Sequence, residues 1–328
     1  MSDSPSPETP STFADGVRLA IGTLSVFPVR PGVVDRRAGG TAMAVAPLVG
    51  AAIGICGGLV LAAALWLGMT PLAASVPAVA TVALLTRGLH LDGLADLADG
   101  LGSGRPAERA LEIMKRSDIG PFGVVTLIFT VLVQVTALAE VTSTGMGPIA
   151  LVVACAAGRL ALTWGCRTGI PAARPDGLGA MVAGTVRLGV AVFVTALVLA
   201  ATTFLALLDR DPAFGPWLSD ALGQAVLVDG LVDGRSWAPG EGDEIAEGIG
   251  SSSGFLGSAL AARVSLPGPG TPQAVWGLPA AVLVGLLAAW AMRRRAVRRL
   301  GGVTGDVLGA LVEIGTAAAL LACAVLVG

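Results

Sequence analysis

Seven stretches of this chain are apolar for long enough to cross a lipid bilayer, and they leave room for few other folds. They run over about 42–67, 71–89, 121–140, 147–167, 186–208, 275–292 and 307–327. Hydrocarbon offers backbone groups no water, so a spanning segment must satisfy its own N–H and C=O groups, as a helix of about 20 apolar residues does. Only 13% of the 328 residues are charged, against about 25% in a soluble domain. Glycine is abundant, at 46 residues, as suits helices that pack closely within a membrane. The expected fold is all-α: a polytopic helical membrane protein with about seven transmembrane helices.

The segments between the spans set an expected orientation. Residues 1–40, 86–120, the stretch around Arg167, Arg174 and Arg187, and the stretch Arg293 to Arg299 hold 17 of the 21 basic residues. The positive-inside rule places these four regions and the N-terminus in the cytoplasm of a cell (inner) membrane. Residues 209–273 then form the one long extracytoplasmic segment, with nine acids against three arginines and many Gly, Ser and Pro. It reads as a flexible insertion with no assigned chemistry. Residues 1–12 read as a disordered tail, 13–208 as the first part of the membrane domain and 274–328 as its C-terminal part. Phe13, Val17, Ala20, Ile21 and Leu24 recur at helical spacing. They predict an N-terminal helix that lies in the interface or docks on the bundle.

A formal net charge of −2 offers no basic field for nucleic acid. Cys56, Cys155, Cys166 and Cys323 show no CxxC or Cys/His metal spacing, and the only histidine is His90. The cysteines are expected as small apolar packing residues.

The chemistry is expected in the run His90-Leu91-Asp92-Gly93-Leu94-Ala95-Asp96-Leu97-Ala98-Asp99-Gly100. On a helix, Asp92, Asp96 and Asp99 fall within an arc of roughly 60°. Carboxylates beside a membrane must be hydrated, paired or metal-bound. A solvated surface stripe is the plain alternative. Such a stripe suits Mg²⁺, a hard cation that takes carboxylate and phosphate oxygens and keeps several waters. Lys115, Arg116, Arg159 and Arg174 are then candidate phosphate clamps. His90 points about 180–240° away from the aspartates on a continuous helix, which puts it at the edge of the site. Near the C-terminus, Gly301, Gly302 and Gly305 allow a tight turn whose N–H groups approach an anion, and the helix after it starts with its positive end there. Asp306 and Glu313 share a face of that helix.

Together these segments resemble the cobalamin synthase family, adenosylcobinamide-GDP ribazoletransferase. The resemblance rests on His90 to Asp96, Asp99-Gly100, Leu111-Glu112-Ile113-Met114-Lys115, Ser117, Ile119-Gly120 and Gly301 to Ala310. Phe27-Pro28-Val29, Gly158-Arg159 and Ala173 to Gly179 support it, and it runs through most of the chain in matching order. The resemblance implies a Mg²⁺-dependent membrane transferase that joins adenosylcobinamide-GDP to α-ribazole, or its 5′-phosphate, and releases GMP. By the same resemblance, Asp92, Asp96, Asp99 and Asp306 would hold the metal and, with His90, supply the catalytic groups. Lys115, Arg116, Ser117, Arg159, Arg174, Gly302, Thr304 and Gly305 would hold the substrate phosphates.

Two departures stand out. Lys115-Arg116-Ser117-Asp118 exchanges an acid and a base relative to the family's usual order, and Thr316 replaces a second acid after Glu313. The rivals are a Mg²⁺-dependent phosphotransferase of the CDP-alcohol type and an ion-coupled transporter. The first lacks its full Asp-Gly-x-x-Ala-Arg pattern here. The second expects acids near the bilayer midplane, and only Glu313 lies that deep. Expected partners are the two substrates and the lipid bilayer, with a homo-oligomer left open and no nucleic acid.

Overall fold

The computed structural model describes residues 10–30, 32–116, 118–210 and 272–327. Among them every regular element is an α-helix, and the only bridges are two isolated pairs, Arg167 with Val186 and Ala172 with Val303. In chain order the helices are α1 (Phe13–Leu24), α2 (Arg36–Trp66), α3 (Pro71–Leu85), α4 (Leu89–Gly102), α5 (Ala107–Ile113), α6 (Pro121–Thr142) and α7 (Gly147–Gly165). They continue with α8 (Gly177–Val182), α9 (Leu188–Arg210), α10 (Pro272–Leu300) and α11 (Gly305–Leu326). Six of them, α2, α6, α7, α9, α10 and α11, are long and apolar enough to cross a membrane. The chain is a multi-pass membrane protein.

The seventh expected span, 71–89, is not one straight helix. α3 and α4 meet at a bend of 87°. Arg87 and Gly88 both take left-handed conformations, with φ of 56° and 67°, and so end α3 and turn the chain. α4 therefore leaves across the axis of α3. It packs on the early turns of α6 and α11, where Asp99 meets Gly120 and Gly123 and Gly93 meets Asp306. Taken together, α3 and α4 make a seventh candidate span, bent rather than straight.

α7 is the centre, almost wholly buried among α2, α10 and α11. Small residues let the backbones touch: a Cβ at Gly54 of α2 would stand 2.6 Å from Val152 Cα of α7. α9 is mostly lipid-facing, with Phe193 and Phe204 exposed.

The N-terminal helix docks on α2. Ala20 and Leu24 are buried against it, and Thr12 and Asp15 close a reciprocal capping box at its start. Ser11 Oγ donates to Asp35 Oδ1 at 2.7 Å, which pins the chain just before α1 to the cap of α2. Residues 11 and 12, expected within the disordered tail, are thus held. The rest of that tail up to residue 9, and nearly all of the 209–273 insertion, lie outside the described residues. Cys155, Cys166 and Cys323 are buried, Cys155 of them beside Arg159, and all four cysteines are free.

Candidate active site

A cavity of about 310 Å³ opens where α4 crosses the start of α11. Its polar wall carries Asp92, Arg174, Asp176, Thr304 and Asp306. Its apolar wall carries Leu24, Met43, Leu162 and Leu308, from four different helices. His90 also borders it.

Glycine decides the geometry. A Cβ at Gly93 would stand 2.8 Å from the Asp306 carbonyl oxygen and 2.9 Å from Asp306 Cα, and one at Gly309 would stand 3.2 Å from His90 Cα. Only bare backbone at these positions lets α4 and α11 touch, and the contact brings Asp92 beside Asp306 across 214 positions of sequence. Thr304 caps α11, accepting from Val307 N–H at 3.2 Å. Its hydroxyl also donates to Asp306 Oδ2 at 3.3 Å.

Arg174 reaches in from the loop before α8. Its Nη2 donates to the Leu111 carbonyl at 2.6 Å, its Nη1 lies 3.7 Å from Asp306 Oδ2, and its buried Nε has no hydrogen-bond partner. A guanidinium with one buried donor free is a group waiting for an acceptor. Lys115 pairs with Asp176 at 3.8 Å, both largely exposed, which sets it at the cavity rim. Arg116 is exposed and outside the lining. Ser117 lies outside the described residues.

Asp96 is one turn along α4 from Asp92 and lies just outside the cavity lining. Partial burial and the negative charges of Asp92, Asp306 and Asp99 push its carboxyl up to about 7. Such a carboxyl exchanges its proton near neutral pH and gains from any cation brought close. Among the described residues no three Asp, Glu, His or Cys side chains form a cage that grips a metal unaided. The oxygen donors Asp92 and Asp306 match instead a hard cation that takes one or two carboxylates and completes its shell with water and phosphate.

Three sequence expectations are corrected. Asp99 does not face the cavity: its carboxylate accepts from Gly120 N–H at 2.7 Å and Gly123 N–H at 2.9 Å, and so caps the start of α6. A Cβ on either glycine would stand 2.4 or 2.5 Å from a carboxylate oxygen and push it out of these bonds. Arg159 does not line the cavity. It is wholly buried on α7, its Nη2 3.5 Å from His90 Nδ1, with Nε and Nη1 unpartnered. Gly302 lines no anion cradle, since a Cβ there would stand 2.5 Å from Pro171 O and Ala173 N. It lets the turn pair with the 171–173 backbone through Val303 N–H to Pro171 O and Ala173 N–H to Val303 O. Thr304 and Gly305 do line the cavity.

Behind the cavity lies a buried polar node. Glu313 of α11 accepts from Gln134 Nε2 at 2.8 Å, and its charge faces Arg159. Glu313, the residue on which an ion pathway rested, is thus tied to neighbours from two other helices. Gln134 was missed in the sequence, where the only signal is a lone amide in an apolar run. Asp176, at the cavity rim, was quoted in a motif but given no role.

A family model described as cobalamin-5-phosphate synthase matches residues 16–232 and 188–324. The adenosylcobinamide-GDP ribazoletransferase of Frankia casuarinae is 39% identical over 94% of this chain and 93% of its own. The protein of the same name from Nocardioides sp. is 35% identical, over 94% and 98%. That of Corynebacterium efficiens is 33% identical, over 96% and 93%. No solved structure matches the chain. A helical membrane bundle that gathers acids and an arginine at one end, matched along its length by these transferases, belongs to the cobalamin synthase family.

Proposed function

We propose that this transferase joins adenosylcobinamide-GDP to α-ribazole, or to its 5′-phosphate, and releases GMP. A ribose hydroxyl of α-ribazole attacks the phosphate on the cobinamide arm. The bond from that phosphorus to the GMP oxygen breaks, and a phosphodiester remains. One observation carries the reading: Asp92 and Asp306, far apart in sequence, share one cavity wall with a guanidinium whose Nε is free.

Asp92 and Asp306 would hold Mg²⁺ against the diphosphate, which neutralises charge and polarises the phosphoryl oxygens when bound. Arg174, on the cavity wall, binds a phosphate oxygen while Leu111 and Asp306 hold its guanidinium in place. The first N–H groups of α11, at Gly305 and Asp306, add partial positive charge on the same wall. Asp96 accepts the hydroxyl proton, since a carboxyl near 7 is poised as a base at neutral pH. The apolar wall of Leu24, Met43, Leu162 and Leu308 excludes water, which would otherwise compete as the nucleophile. The cavity has room for the diphosphate and its near neighbours, and the corrin ring stays at the mouth.

The site and the N-terminus face the cytoplasm of the cell membrane in this reading, because the arginine-rich segments gather at the end of the bundle where α4 lies. Membranes holding the protein are incubated with adenosylcobinamide-GDP, α-ribazole and Mg²⁺, and GMP is measured. Asp92→Asn and Asp306→Asn should each abolish release while the protein stays folded in the membrane. Full activity of both variants at low Mg²⁺ would overturn the metal role.

A further inference from the structure

A second concavity, of about 250 Å³, lies between α7 and α10, away from the cavity just described. Leu283, Leu286, Leu287 and Trp290 form one face of α10 along it, and Ala161 and Trp164 of α7 form the other wall. Leu283, Leu287 and Trp290 are 50%, 62% and 44% exposed, so the groove opens sideways to the bilayer. From Leu283 to Arg293 it follows ten residues of helix, about 15 Å. That is half of a hydrocarbon core about 30 Å thick, the depth of a single leaflet.

The groove ends in positive charge. Arg293 is only 8% exposed and lines the end of the concavity. Its Nη1 donates to the Trp164 carbonyl at 2.5 Å, which holds it beside the end of α7, three residues before Arg167. Neither arginine forms an ion pair with an acid among the described residues, and Arg167 Nε is buried without a hydrogen-bond partner. Arg294 lies over the Trp290 ring, 5.3 Å from its centroid. Two neighbouring guanidiniums without a carboxylate, one with a buried free donor, call for an anion. An apolar channel one leaflet deep calls for an alkyl chain.

We propose that this groove binds one anionic phospholipid, with an acyl chain along α10 and its phosphate between Arg293 and Arg167. Lipid head groups of negative charge are drawn to basic residues at the membrane surface by about 1 kcal/mol each. The bound lipid would neutralise Arg293 and Arg167 and wedge α7 against α10.

The test uses the full-length protein, purified in neutral detergent. Phosphatidylglycerol, phosphatidylcholine and inorganic phosphate are added separately, and thermal unfolding and lipid retention by native mass spectrometry are followed. Phosphatidylglycerol should raise the unfolding temperature and remain bound, and the other two should not. Arg293→Gln and Arg167→Gln should each weaken retention about fivefold. Leu287→Trp, which fills the groove from an exposed position and leaves the core untouched, should do the same without loss of folding. Equal stabilisation by phosphatidylcholine, an equal effect of free phosphate, or a second copy of the chain covering the groove would each overturn the proposal. So would undiminished retention in Leu287→Trp.

Discussion

Gly93→Ala tests whether backbone contact between α4 and α11 sets the active geometry. The new methyl would stand 2.8 Å from the Asp306 carbonyl oxygen, 2.9 Å from its Cα and 3.2 Å from its carbonyl carbon. Carbon pairs rest at about 3.5–4.0 Å, and every atom struck is backbone, so no rotamer change relieves the clash. α4 must withdraw from α11 by roughly 0.5–1 Å to restore ordinary contact. Overpacking of this kind costs about 1–3 kcal/mol. Replacing glycine inside a helix returns about 1 kcal/mol, so the net loss of stability is about 0–2 kcal/mol and the protein folds. Asp92 moves with α4 while Asp306 stays with α11. A displacement near 1 Å at a reacting centre costs about 100-fold in rate. GMP release and thermal unfolding are measured together on Gly93→Ala and on Gly189→Ala, where a Cβ meets nothing within 4 Å. Gly189→Ala should match the parent in turnover and be at least as stable. Gly93→Ala should lose about 100-fold in turnover for a small shift in unfolding temperature. Parental turnover in a folded Gly93→Ala protein would refute the reasoning that this contact aligns the acids.

Further outcomes follow from the same structure. Asp99→Ala leaves the Gly120 and Gly123 N–H groups unbonded and should cost about 1–2 kcal/mol in stability, with turnover per folded molecule retained. A folded Asp99→Asn without turnover would return Asp99 to the chemistry. If Asp96 is the base, its raised carboxyl makes activity fall as pH drops through about 7. Bound Mg²⁺ favours the carboxylate and should shift that midpoint downward. A pH profile that Mg²⁺ concentration leaves unmoved would count against the assignment. Arg159→Met leaves Glu313 only its hydrogen bond from Gln134, and Glu313→Gln leaves Arg159 facing no acid, so each should lower the unfolding temperature. The double variant should cost clearly less than the sum of the two, and additive losses in unfolding experiments would show that the charges do not interact.

Much of the fold can be read in the residues. The apolar runs mark α2, α6, α7, α9, α10 and α11 because a span in hydrocarbon has one backbone solution. The bend between α3 and α4 escaped that reading. Residues 71–89 are apolar but for Arg87 and three hydroxyl side chains, and the bend rests on left-handed φ values at Arg87 and Gly88, which hydropathy does not report. Asp99 shows the same gap at the level of one side chain. Its spacing puts it in the stripe with Asp92 and Asp96, yet α4 is flanked on its two sides by different helices. Asp92 meets the cavity beside α11, and Asp99 meets the N-terminus of α6. Arg159 carries a charge suited to phosphate, and only the packing of α7 at the centre shows it to be buried behind His90.

By itself the sequence determined the class of the molecule, a helical membrane bundle, and the residue types its chemistry draws on. These follow from local properties: apolar length, helical period, and the cost of carboxylates beside lipid. Tertiary structure alone decided which of those residues act together. Asp92 joins Asp306 and Arg174 because Gly93 and Gly309 let two backbones touch. Asp99 and Arg159 are drawn into holding helices instead. The physical reason is that a charge next to a membrane must find a partner, and which partner it finds depends on which helix ends packing brings within about 3 Å.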